Sequence, residues 1–157
     1  MQLSTRGRYA VMAMTDLAHC ESRCESAGAS VRAVTVADIA ERQQISHPYL
    51  EQIFARLRRA GLVRSVRGPG GGYRLTREAT AISVADVIAA VDEPLKATRC
   101  GGGETGCMHG GARCLTHDLW EETGRAIHDY LASVSLADVL AGRLRPDAPG
   151  SEPARAA

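Results

Sequence analysis

Ile45-Ser-His-Pro-Tyr-Leu-Glu-Gln-Ile-Phe-Ala-Arg-Leu57 is the stretch on which the fold turns. Leu50, Ile53, Phe54 and Leu57 fall at i, i+3, i+4 and i+7, which places them in one buried stripe of a helix. Pro48 suits the first turn of that helix, because its missing N–H would have had no partner there, and Ser46 stands at the cap. Gly61 stops the helix where a left-handed residue costs least. Upstream, Thr35-Val-Ala-Asp38 is a capping pattern for a short helix through Ile39, Ala40 and Gln43. Gln44 to Ser46 leaves room only for a tight turn. Two helices so joined predict a helix-turn-helix whose second member has its inner face fixed by the Leu50-to-Leu57 stripe. His47, Pro48, Tyr49, Glu51, Gln52, Ala55 and Arg56 lie off the stripe. A glutamate can accept from a cytosine amino group and a glutamine can pair with adenine, so Glu51 and Gln52 suit direct reading of base edges.

The next segment points the same way. Leu62-Val-Arg-Ser-Val-Arg67 and Tyr73-Arg-Leu-Thr76 are short strand-like runs separated by Gly68-Pro-Gly-Gly-Gly72, which predicts a hairpin with a glycine-rich tip. A basic hairpin directly after such a helix reads as a wing, with Arg64, Arg67 and Arg74 available to phosphates or a narrow minor groove. A phosphate-cradling nucleotide loop fits less well: Tyr73 stands where a further glycine is needed, and no Lys-Ser/Thr pair follows. The candidate DNA-contacting residues are therefore Ser46, Pro48, Tyr49, Glu51, Gln52 and Arg56 on the helix, with Arg64, Arg67, Gly68, Pro69 and Arg74 in the hairpin.

Charge is distributed to match. The net charge of the 157 residues is +1, but the first 80 carry 12 basic against 7 acidic residues and the remainder 7 against 11. Between Ser46 and Arg77 there are seven arginines and one acid, Glu51, a density expected where a surface meets phosphates. A composition of 45% hydrophobic and 24% charged residues is that of an ordinary globular domain and excludes collagen-like and coiled-coil classes. No run approaches the roughly 18 apolar residues needed to span a bilayer. The opening MQLSTRGRYAV lacks the apolar core of a signal peptide, so a cytoplasmic location and no membrane contact are expected.

A helix is expected from Thr5 to about Cys24, and another after Ser83-Val-Ala-Asp86, apolar through Val84, Val87, Ile88 and Val91 and ending near Asp92-Glu93-Pro94. From about Thr116 to Val134 helical spacing returns, with Leu119, Trp120, Thr123, Ile127, Tyr130, Leu131 and Val134 on one apolar face. A face of that length needs a partner surface, which predicts a homodimer; the alternative is that it lies on its own first lobe. Ser135-Leu-Ala-Asp138 caps a last short helix, and the Pro-, Ala- and Gly-rich tail from about Arg143 is expected to be disordered. Three units follow: 1–80 for DNA, 81–142 for a metal-binding loop and dimerisation helices, and 143–157 as tail.

Between the two C-terminal helical patterns stand Cys100, Cys107, Cys114 and His117 in a glycine-rich segment, with six residues between successive cysteines and the histidine three places after the last. Four soft or borderline ligands in a loop with no core to pack in point to a metal. Paired Cys-x2-Cys knuckles are absent, which argues against structural zinc. Widely spaced thiols suit an iron–sulfur cluster, and a histidine ligand would raise its potential. His109 is a rival ligand, and Asp118 or Glu121 could orient His117. Cys20 and Cys24, four apart on a helix near His19, read as ordinary buried thiols. With the candidate nucleophiles inside the ligand set and no paired carboxylates or phosphate motif, no enzyme activity is expected.

Ser4-Thr-Arg-Gly-Arg-Tyr-Ala10, Ile45-Ser-His-Pro-Tyr-Leu-Glu-Gln52, Leu57-Arg-Arg-Ala-Gly-Leu-Val63, Ser65-Val-Arg-Gly-Pro-Gly-Gly-Gly-Tyr73 and the Cys100, Cys107, Cys114, His117 set occur in this order. Together they resemble the IscR-type members of the winged-helix regulator family that also holds the nitric-oxide sensor NsrR and the iron regulator RirA. The likeness runs from residue 1 to about residue 140, apart from an insertion around Cys24 to Ala33. It implies a mainly α fold: a winged helix-turn-helix, a long C-terminal dimerisation helix and a cluster-binding loop. Further implied are a homodimer on double-stranded operator DNA and one [2Fe-2S] cluster per subunit, held by Cys100, Cys107, Cys114 and His117. Repression of genes for cluster assembly or iron homeostasis follows, with Arg67 entering the minor groove and Glu51 discriminating between sites. The Cys114-x2-His117 ending favours the IscR type. A zinc-stabilised DNA-binding protein without redox sensing, or a nitric-oxide- or iron-responsive relative, is the alternative.

Overall fold

Helix α1 (Thr5–Ser26) starts where the Ser4 side chain accepts a hydrogen bond from the Gly7 amide. Ala10, Ala13, Met14 and Leu17 recur along it at helical spacing and are fully buried. The computed structural model, which describes residues 4–91, 107–108 and 111–144, continues with α2 (Val36–Gln43) and α3 (His47–Arg59). The Thr35 hydroxyl accepts from the Asp38 amide and begins α2. Gln44, in the left-handed region at φ 54°, ends it, and the amides of Gln44 and Ile45 donate to the carbonyls of Glu41 and Ala40. Leu50, Ile53, Phe54 and Leu57 are buried as the periodicity requires. One detail differs from expectation: the Ser46 side chain does not cap α3, and instead its carbonyl accepts from the Tyr49 and Leu50 amides.

Gly61, at φ 73°, lets the chain leave α3 in a left-handed turn. Strand β1 (Val63–Val66) pairs antiparallel with β2 (Gly72–Leu75), setting Val63 opposite Leu75, Arg64 opposite Arg74, and Ser65 opposite Tyr73. The hairpin is tied to the rest by Val34, whose N–H donates to the Tyr73 carbonyl at 3.0 Å and whose carbonyl accepts from the Tyr73 N–H at 2.8 Å. Gly72 sits at that crossing with φ 156°, and a Cβ there would stand 2.4 Å from the Val34 carbonyl oxygen. Only glycine fits. Tyr73 in turn packs against Phe54 with ring centroids 4.8 Å apart and the planes tilted by 47°.

A 3-10 turn (Ala79–Ala81) leads into α4 (Val84–Ala90), and α5 (His117–Ser133) and α6 (Leu136–Ala141) complete the described chain. Both α4 and α6 open with a capping box, Ser83 with Asp86 and Ser135 with Asp138. The α5–α6 junction is pinned to the start of α4 by the Val84 amide on the Val134 carbonyl and the Leu136 amide on the Ile82 carbonyl. Ile82, Val87, Val91 and Leu136 join α1 and α3 in the main core, so that core crosses residue 80. A smaller cluster holds Val84, Ile88 and Val134. The observed architecture is mainly helical with one two-stranded sheet, as the sequence predicts. Helix α4 ends at Ala90 with Val91 as its C-cap, short of the stop expected near Asp92-Glu93-Pro94; Cys100, His109 and the tail beyond Leu144 lie outside the described residues.

Candidate DNA interface and metal centre

Burying the α3 stripe leaves Ser46, His47, Pro48, Glu51 and Gln52 exposed along its first turns. Glu51 is paired on its own helix: its Oε1 lies 3.4 Å from Nε2 of His47, both side chains being about half exposed. The expectation that Tyr49 points outward needs correction. It is half-buried, packed edge-on against Tyr9 of α1 at 6.0 Å and 80°, and so couples the recognition helix to α1. Ala55 and Arg56 are half-buried as well. In the wing, Arg64, Arg67, Gly68 and Pro69 are exposed.

Arg74 is held inward. Its Nε stands 3.6 Å from Oε1 of Glu21 on α1, and the same oxygen accepts the Leu75 amide at 2.9 Å. Burial pushes the Glu21 carboxyl above the usual range, opposed by the Leu75 amide and the Arg74 charge. Arg74 and Glu21 thus fasten β2 to α1. A second long-range pair braces the helix-turn-helix from behind: buried Asp16 accepts from Arg42 Nη2 at 2.7 Å and from Gln43 Nε2 at 2.9 Å. Hydrogen bonding to Asp16 holds the Arg42 guanidinium above its usual range.

Three of the four expected metal ligands are described, and two of them, Cys107 and His117, meet through their side chains, with Cys114 touching Cys107 through its backbone. His117, buried, is the first residue of α5, and its Nδ1 lies 3.6 Å from Sγ of Cys107. The same sulfur accepts the backbone amide of Cys114 at 3.3 Å. Sγ of Cys114 is 3.7 Å from the Thr116 hydroxyl, and the Cys114 carbonyl accepts the His117 amide. On its other side His117 presents Nε2 to Glu121 at 3.8 Å, one turn along α5, whereas Asp118 pairs with Arg113 at 3.3 Å. Of the two carboxylates expected to orient the ring, Glu121 is the one that faces Nε2. A cysteine sulfur and an imidazole nitrogen 3.6 Å apart are donor types suited to iron or another thiophilic metal. Cys20 and Cys24 lie on α1, both half-buried, and burial pushes the Cys20 thiol up.

Sequence reasoning had no means of finding Glu21, Tyr9 or Asp16. Each acts through a partner 26 or more residues away, and nothing in the local pattern marks it.

A helix-turn-helix with an exposed N-terminal face, followed by a basic hairpin and preceding a helix that opens on a candidate metal-ligand histidine, defines a winged-helix transcriptional regulator. The chain belongs to the Rrf2 family of iron-dependent transcriptional regulators, whose family model matches residues 3–142. Among its relatives, the HTH-type transcriptional regulator IscR of Vibrio cholerae is 50% identical over 141 residues, 89% of this chain and 75% of that protein. The structure of T. potens IscR superposes with a TM-score of 0.69 at 36% identity, covering 98% of this chain and 94% of that one. CymR, the global cysteine regulator of B. subtilis, superposes with a TM-score of 0.72 at 29% identity over 90% of this chain and 98% of its own. No helix among the described residues is long and apolar enough to cross a membrane.

Proposed function

We propose that this transcriptional regulator senses iron–sulfur cluster supply. It would act as a cytoplasmic homodimer that represses, and at some sites activates, genes of cluster assembly or iron homeostasis. The observation that carries this reading is the meeting of Cys107 and His117 at the start of α5, with His117 Nδ1 3.6 Å from the Cys107 sulfur and the Cys114 amide on that same sulfur. Cys100, Cys107, Cys114 and His117 would hold one [2Fe-2S] cluster per subunit, which when bound supplies a redox-active, oxygen-sensitive group. Glu121, 3.8 Å from the outer nitrogen of His117, would help to orient the ring with Nδ1 toward the Cys107 sulfur. Because His117 is the first residue of α5, any change in how this set is held is passed directly to that helix.

Leu119, Trp120 and Tyr130 on α5 are 59%, 42% and 44% exposed, and an apolar face of this kind is the surface on which a second copy would close. Two recognition helices would then meet successive major grooves of an operator. Glu51 and Gln52 would read base edges, with Ser46, Pro48, Tyr49 and Arg56 beside them. From the wing, Arg64, Arg67, Gly68 and Pro69 would meet the backbone or minor groove, and Arg74 would act from its seat against Glu21 by positioning the hairpin.

The deciding experiment is the visible spectrum, with iron and sulfide analysis, of anaerobically purified protein. About two irons and two sulfides per chain are expected, lost on Cys107→Ala or Cys114→Ala. Colourless protein with stoichiometric zinc after anaerobic reconstitution would overturn the sensor reading and leave a metal-stabilised regulator. Full-strength binding of every promoter by the Cys100, Cys107 and Cys114 triple-Ala variant would sink the gating while leaving DNA binding intact. In a salt titration, Arg67→Ala should lower the slope of log K against log salt by about one unit.

A further inference from the structure

Glu51 poses a problem that its surroundings make acute. It is the single acid among the 32 residues from Ser46 to Arg77, on the helix face proposed to enter a groove lined by phosphates. A free carboxylate there is repelled by the DNA backbone and is mobile about three side-chain torsions, whereas selective acceptance from a cytosine amino group requires an oxygen held in one place. The structure supplies a restraint. His47, the first residue of α3 and one helical turn before Glu51, sets Nε2 3.4 Å from Oε1 of that carboxylate, and both side chains remain half exposed on the outer face.

The imidazole draws on its own helix for position. Ser46 makes no side-chain cap, so the first turn is organised by the Ser46 carbonyl, which accepts the Tyr49 and Leu50 amides. Tyr49 is locked against Tyr9 and Leu50 is fully buried, which fixes the backbone bearing His47 and Glu51. A ring with two torsions on a fixed turn loses less freedom than a glutamate alone when the pair forms. Its ring nitrogen, at ion-pair distance, also gives the carboxylate a neighbour other than the phosphates.

We propose that His47 is a specificity-determining positioning residue. It holds the Glu51 carboxylate aimed at the base edge and so sets the selectivity of the recognition helix, without itself supplying the sequence contact. This rests on the reading of Glu51 as a base-contacting residue, and the test separates the two.

Duplexes are first selected from a randomised pool with the full-length wild-type protein. The base position whose preference vanishes in Glu51→Ala is then identified. The ratio of affinities for the selected duplex and for the same duplex changed at that position is measured for wild type, His47→Ala, His47→Gln, Glu51→Ala and the double Ala variant. A good base contact discriminates by about tenfold or more. His47→Ala should lose most of that ratio while its affinity for random-sequence DNA stays at the wild-type value. His47→Gln, which keeps an N–H donor, should retain it, and the double variant should discriminate no worse than Glu51→Ala. A wild-type ratio in His47→Ala, with the ratio lost in Glu51→Ala, overturns the role of His47 alone. Additive losses in the double variant, or a uniform drop on random DNA, make His47 an independent DNA contact and likewise overturn it. An unchanged ratio in Glu51→Ala overturns the base-reading of Glu51 and this proposal with it. Melting curves of His47→Gln and His47→Ala guard against loss of fold.

Discussion

The lobe from α1 to β2 and the helix α5 treat their apolar side chains in opposite ways. In the first, Met14, Leu17, Ile39, Leu50, Ile53, Phe54 and Leu57 are fully enclosed, and what remains outside is polar or basic. In the second, Leu119, Trp120 and Tyr130 stay exposed, and burial is confined to His117 at its start and Val134 just past its end. The expectation that the α5 face might lie on its own first lobe is thereby excluded for those three residues. The difference separates a part that is finished within one chain from a part whose apolar surface is left for something else to cover. It also separates two kinds of sensitivity to mutation.

The sharpest way to break this comparison is to cut into each part. Phe54→Ala removes a fully buried ring that also carries Tyr73 of the wing, and should cost about 3–5 kcal/mol in urea or thermal unfolding. Trp120→Glu should leave the unfolding of the DNA-binding lobe nearly unchanged. In sedimentation it should weaken self-association by at least about thirtyfold, the effect of losing an interface anchor. Equal stability losses from the two changes would mean that α5 is part of the same closed core, and the contrast would fail.

Smaller effects sharpen the boundary between the parts. Ser135→Ala removes one half of the α6 capping box, at the junction where Leu136 enters the main core, and should cost about 1 kcal/mol. The Asp138 carboxyl is held below its usual range mainly by the Ser135 hydroxyl and amide, so this cap strengthens above the ordinary aspartate range and weakens in acid. The smallest effect concerns Glu21. Its carboxyl is raised in the folded protein, so folding takes up a proton between the ordinary glutamate range and the raised value, and stability falls as pH rises through that window. Glu21→Gln should flatten that part of a plot of Tm against pH. An unchanged slope would show that the carboxylate beside Arg74 is not the group responsible.

Much of this molecule is written locally. The i, i+3, i+4, i+7 stripe of α3, the capping patterns at Thr35, Ser83 and Ser135, the glycine tip of the wing and the Cys107, Cys114, His117 spacing each act over a few residues. Helix periodicity, cap chemistry and turn geometry are short-range effects, so the sequence alone carried the mainly helical winged fold and singled out Cys107 and His117, whose side chains the structure brings together.

What only the tertiary structure decided are the contacts that bridge distant segments. Tyr49 lies off the buried stripe by periodicity, yet α1 passes close enough for Tyr9 to take its ring. Arg74 reads as one more wing cation until Glu21, 53 positions earlier, is seen beside it, and Asp16 reads as an ordinary polar helix residue until Arg42 and Gln43 close over it. No local pattern encodes these pairings, because they depend on how helices cross and how a hairpin docks, and a buried charge is tolerated only where that packing supplies its partner.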